Sequence, residues 1–120
     1  MTSLNTFGAI MTFAIELEAQ LEQYYQTTGD GARAAEAAKR RANLERVRRE
    51  NVTEIKLEPI EGLDESNYRL PLEDLSAEGQ RRIETIAAQF YADVAPKINV
   101  REAQRALERC ARQHGELANV

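Results

Sequence analysis

Apolar residues recur along this chain at steps of three and four, which predicts helices rather than a sheet. Over residues 4–27, Phe7, Ile10, Met11, Ala14, Leu17, Leu21 and Tyr25 fall on one face of a helix. Thr27-Thr28-Gly29-Asp30-Gly31 predicts a turn, with glycines able to take positive φ. A second helix is predicted over 32–55, its apolar line running Ala38, Leu44, Val47, Val52 and Ile55. The periodicity lapses over 58–75, where Pro59, Gly62, Asp64, Ser66, Asn67 and Pro71 make a connection long for a compact domain. Ser76 is placed to cap a third helix over 77–94, which Pro96 stops. Asn99 and Glu102 have the spacing of a capping box ahead of a fourth helix over 100–118. Two short turns and one long connection between four helices predict an all-α four-helix bundle. A long crossover would let helices two and three run in the same direction.

Composition narrows this picture without redirecting it. The 120 residues fit a single domain, 1–120, and 42% apolar with 30% charged residues suits a helical protein with a real core. A net charge of −4 gives no global reason to expect nucleic acid. Cys110 stands alone, so no intrachain disulfide is possible, and one thiol is compatible with a reducing compartment. The apolar run Ala9–Ile15 is too short to span a membrane and has no lysine or arginine before it. The expectation is a cytoplasmic protein without a membrane segment.

An internal repeat links the first and third helices. Glu18-Ala19-Gln20-Leu21-Glu22-Gln23-Tyr24-Tyr25 and Glu84-Thr85-Ile86-Ala87-Ala88-Gln89-Phe90-Tyr91 both read Glu, five residues, an aromatic, then Tyr. Helices two and four offer a second pair, Leu44-Glu45-Arg46-Val47-Arg48 and Leu107-Glu108-Arg109-Cys110-Ala111. Two similar helical hairpins are expected.

Three ionisable residues lie in the apolar stripes. Glu18 shares a face with Ala14, Leu21 and Tyr25; Glu84 with Ala87, Ala88 and Tyr91; His114 with Leu107, Cys110 and Leu117. A single such residue reads as a core-edge group reaching solvent. Two glutamates at matching places in matching helices read as a site. A buried unpaired carboxylate costs several kcal/mol, so each needs a cation or a hydrogen-bond partner. Tyr24, Tyr25, Phe90 and Tyr91 read as core packing with hydroxyls reaching partners, and Cys110 as buried.

The Glu-x5-aromatic-Tyr pattern of Glu18–Tyr25 and Glu84–Tyr91 resembles helices one and three of rubrerythrin-like, ferritin-like proteins. The resemblance implies a ferritin-like four-helix bundle with the long crossover between helices two and three. In that family two lone glutamates join two Glu-x-x-His pairs to hold two irons. His114-Gly115-Glu116-Leu117 is similar to the family's histidine with its usual small-acidic-apolar tail, but its partner position holds Ala111. In helix two the same register puts Arg48 where glutamate belongs and Asn51 where histidine belongs. A register shifted to Glu45 and Glu108 restores neither pair.

Charge argues the same way. Four carboxylates offset two ferrous ions, whereas Glu18 and Glu84 supply two negative charges and Arg48 would add a positive one. The expected arrangement is therefore a buried polar cluster of Glu18, Arg48, Asn51, Glu84 and His114, with Arg48 replacing metal between the glutamates. No cofactor is expected on this reading, and the protein acts without catalysis, through self-association or protein partners. The alternative is one iron, manganese or zinc ion held by Glu18, Glu84 and His114, as in a metal-binding protein or oxidoreductase.

Two surface features complete the reading. Arg33, Lys39, Arg40, Arg41, Arg46, Arg48 and Arg49 make helix two basic, a candidate nucleic-acid face. Glu36, Glu45 and Glu50 interleave with them and favour a solvated face instead. In helix one, Phe13 and Ile15 flank the core stripe on opposite sides. A homodimer through helix one would cover them; the long connection is the other candidate cover.

Overall fold

A computed structural model describes Leu4, residues 6–51 and residues 63–119. Among these, four α-helices succeed one another: α1 (Phe7–Thr28), α2 (Gly31–Asn51), α3 (Ala77–Val94) and α4 (Arg101–Ala118). Short 3-10 turns cover Glu65–Tyr68 and Ala95–Lys97, and no strand occurs among the described residues. The chain is all-α. The predicted continuation of helix two through Val52 and Ile55, and the first residues of the 58–75 connection, lie outside the described residues.

The helix ends show why the elements stop where they do. Thr6 rather than residue 4 opens α1: its Oγ1 accepts from the Ala9 amide at 3.0 Å, while Leu4 donates its amide to the Leu63 carbonyl. Gly29 ends α1 at φ 84°, a left-handed conformation that glycine takes without penalty. Asp30 then receives the Arg33 amide at 3.0 Å, so α2 begins within two residues. Ser76 caps α3 as predicted, accepting from the Gly79 amide at 3.0 Å. The capping box at Asn99 and Glu102 does not form. Val100 is the residue before α4, one position later than the box requires, and Glu102 instead takes the Asn51 side-chain amide at 3.0 Å.

The two-residue turn makes α1 and α2 an antiparallel hairpin, and α3 and α4 form a second. Tyr25 meets Glu84 and Tyr91 meets Glu18, so α1 and α3 also run antiparallel. Helices α2 and α3 therefore share a direction, which a tight hairpin between them could not allow. Arg40 with Gln113, and Asn51 with Glu102, pair α2 and α4 antiparallel.

The core is continuous. Phe7, Ile10, Met11, Ala14, Leu17, Leu21 and Tyr25 are all buried, as the three-four pattern predicts. In α2 the buried line is Ala34, Ala37, Arg40, Leu44 and Val47; Ala37, not Ala38, is the buried alanine. Phe13 is partly covered within the chain: Phe90 lies against it at 4.9 Å between ring centroids and Tyr68 at 6.5 Å. The Tyr68 hydroxyl donates to Asp93 at 2.6 Å, holding the connection over α1 and α3. Ile15 stays half-buried.

Candidate functional site: a buried carboxylate–imidazole–guanidinium cluster

Glu18, Glu84 and His114 each have 0% of their surface exposed, and Arg40 has 7%. Each is the polar member of an otherwise apolar helix stripe, one from each of the four helices. Glu18 stands eleven residues before Gly29 and Arg40 eleven after it, so the hairpin places them level. Glu84 and His114 are level in the second hairpin in the same way.

The imidazole lies between the carboxylates. His114 Nδ1 is 2.5 Å from Glu84 Oε2, and Nε2 is 2.7 Å from Glu18 Oε2. A carboxylate on each ring nitrogen favours the doubly protonated ring, an imidazolium that donates to both. Burial opposes its charge, but the hydrogen bonds and charges of Glu18 and Glu84 outweigh burial and raise its pKa above the usual imidazole value. Arg40 Nε donates to Glu18 Oε1 at 2.8 Å, and Nη1 to Gln113 Oε1 at 3.2 Å. Arg40 Nη2 is buried with no hydrogen-bond partner among the described residues. Burial would lift the Glu18 carboxyl, yet His114, Arg40 and Tyr91 together hold it below the usual carboxylate range.

Two tyrosines close the cluster reciprocally. Tyr91 of α3 donates to Glu18 Oε2 at 2.6 Å, and Tyr25 of α1 donates to Glu84 Oε1. The repeat seen in the sequence is thus an exchange, each helix supplying a carboxylate and the hydroxyl for the other's carboxylate. The Tyr91 ring also stacks on His114, 5.5 Å between centroids and 3° from parallel. Burial, then the neighbouring carboxylates, push both phenol pKa values up, so the hydroxyls stay donors. Burial and then Glu18 push the Cys110 thiol up to about 12, which keeps it protonated and unreactive.

Arg48 and Asn51 do not belong to the cluster. Arg48 is exposed, eight residues or about 12 Å along α2 from Arg40. Asn51 is half-buried and bonds the Val47 carbonyl and Glu102. The Leu44–Arg48 and Leu107–Ala111 likeness does not mark equivalent positions, because the α3–α4 connection is longer than the Gly29 turn. The residue placed like His114 is Arg40. The sequence carries its signal: Arg40 lies three residues from Ala37 and four from Leu44, on the buried line itself.

Here Glu18, Glu84 and His114 are paired with one another, so an ion held by all three would require those pairings to open. A metal needs a free imidazole lone pair, and both nitrogens already face carboxylates on opposite edges of the ring. Arg40 and a protonated His114 would together offset the charge of two carboxylates.

On α2, ion pairs engage Arg33 with Asp30, Lys39 with Glu36, Arg41 with Glu22, and Arg46 with Glu50. With Arg40 buried, Arg48 and Arg49 are the basic residues of that helix left outside any ion pair among the described residues. No described helix is long and apolar enough to cross a membrane. No protein-family model, curated protein or solved structure matches the chain, so its chemistry is read from this geometry.

Proposed function

We propose that this protein is a ferritin-like bundle of the rubrerythrin type that has exchanged di-iron chemistry for an internal salt-bridge core, and that it works by association, with its own kind or with another protein. The observation carrying this reading is the neutralisation of Glu18 and Glu84 by His114 and Arg40 in a site closed to solvent. A catalytic site needs access for a substrate and a group left free to react; here every ionised group is committed to a neighbour.

On this reading the protein is cytoplasmic, and nucleic acid finds no strong face on α2, whose cations are mostly paired. Self-association would take the form of a two-fold homodimer through α1. With Phe13 partly covered by Tyr68 and Phe90, such a contact would centre on Ile15, which lines a groove of about 370 Å³ with Glu45, Arg48 and Arg49.

Protein purified without chelator tests the reading. Metal analysis should find well under one iron, manganese or zinc per chain, and chelator should leave the melting temperature unchanged. One tightly held ion per chain, lost together with stability on chelation, would overturn it.

A further inference from the structure

Two cavities adjoin on the outer side of α1, sharing Gln20 and Leu72. Their volumes are about 560 and 220 Å³. The α1 residues that line them, Phe13, Gln20, Tyr24 and Thr27, fall on one stripe, so the two form a trough about 20 Å long. The connection supplies the facing wall. Leu72 and Leu75 line it, and Leu75, at 51% exposure, is the large apolar side chain the described surface leaves most open.

The charge around this trough is one-sided. Asp64, Glu65 and Glu73 line it against Arg69 alone, and α1 carries no lysine or arginine. An apolar floor with an acidic rim is the complement of a segment with leucine-like side chains on one face and lysine or arginine beside them. No described helix of this chain offers that combination. The arginine row of α4, Arg101, Arg105, Arg109 and Arg112, is exposed without large apolar neighbours on its outer face. Among the described residues, a second copy therefore offers the trough a poorer match than a different protein.

We propose that the trough between α1 and the 63–76 connection binds a cationic amphipathic segment of a partner protein. Leu72 and Leu75 take its apolar face; Glu65 and Glu73 take its cations. The proposal rests on the association reading above and names the chemistry of the partner.

The test uses the full chain, isotope-labelled for amide NMR, and two synthetic helical peptides of fourteen residues. One carries leucines at helical spacing flanked by lysines; its twin has glutamates in place of the lysines. The lysine peptide should shift the amides of Gln20, Gln23, Thr27, Leu72, Glu73 and Leu75, and the twin should not. Leu75→Ser, and separately Glu65→Lys with Glu73→Lys, should each weaken binding at least tenfold while the melting temperature holds. Equal binding of both peptides, shifts centred away from the trough, or variants that bind like the parent would overturn the proposal. So would a dimer by light scattering that Leu75→Ser disperses, since a second copy would then fill the trough. Stoichiometric metal would instead defeat the association reading while leaving the peptide result standing.

Discussion

Glu18 and Arg40 are equidistant in sequence from Gly29, and their 2.8 Å ion pair joins the two arms of the first hairpin inside the core. Breaking a buried pair leaves an uncompensated charge, which costs more than the pair contributes. Arg40→Ala should therefore lower stability by roughly 3–5 kcal/mol. Arg48→Ala, at an exposed site outside any ion pair among the described residues, should change it by less than about 0.5 kcal/mol. Urea denaturation of the two variants decides between the residues, and equal midpoints would remove Arg40 from the core.

The protein has one histidine, so its ring protons report the cluster without overlap. Its pKa is raised in the folded state from a reference of 6.5. The folded form holds this proton more tightly, so the stabilisation is complete below about pH 6.5 and is lost as pH rises through the folded value. Glu18 is lowered from a reference of 4.5. Its contribution is complete above about pH 4.5 and is lost as pH falls through its folded value. Stability from this cluster should be greatest between the two references and decline on either side. His114→Gln should flatten the alkaline decline in urea midpoints, and an unchanged slope would place the titrating group elsewhere.

The reciprocal tyrosines give a third expectation. Tyr25→Phe and Tyr91→Phe each remove a donor to a buried carboxylate, a loss of about 1.5–3 kcal/mol apiece. Because His114 joins both carboxylates, the double variant should differ from the sum of the singles by at least about 0.5 kcal/mol. Strict additivity would show that the two ends of the cluster act separately.

Much of the fold is legible in the sequence alone. The three-four spacing locates α1 and α3 closely, and the cap at Ser76 reflects its own chemistry. Glu18, Glu84 and His114 are legible because each interrupts an apolar stripe. The cation is harder to find, because the likeness of Leu44–Arg48 to Leu107–Ala111 points to Arg48. Hairpin geometry depends instead on distance from the turn, and the two connections differ in length. Counting outward from Gly29 reaches Arg40. The cover over Phe13 has no such signal, since Tyr68 arrives from an aperiodic segment whose path no pattern encodes.

Two glycines separate helix propensity from packing. Replacing glycine by alanine inside a helix usually gains about 0.5–1 kcal/mol, because the unfolded chain loses freedom. Gly115 in α4 has nothing within 4 Å of the position a Cβ would take, so Gly115→Ala should show that gain. At Gly79 in α3 the same Cβ would stand 2.3 Å from Asp74 Cγ and 2.7 Å from Asp74 Cβ. Asp74 cannot swing aside freely. Its Oδ1 accepts from the Ser76 amide at 3.0 Å and the Ser76 hydroxyl at 2.6 Å, and its carbonyl accepts from Tyr24 at 2.7 Å. Moving it disturbs the residue that caps α3, and losing a cap costs about 1 kcal/mol before the Tyr24 bond is counted. The clash should outweigh the propensity gain, so Gly79→Ala should lower the urea midpoint while Gly115→Ala raises it. A rise in both would mean that Asp74 is not held as the hydrogen bonds indicate.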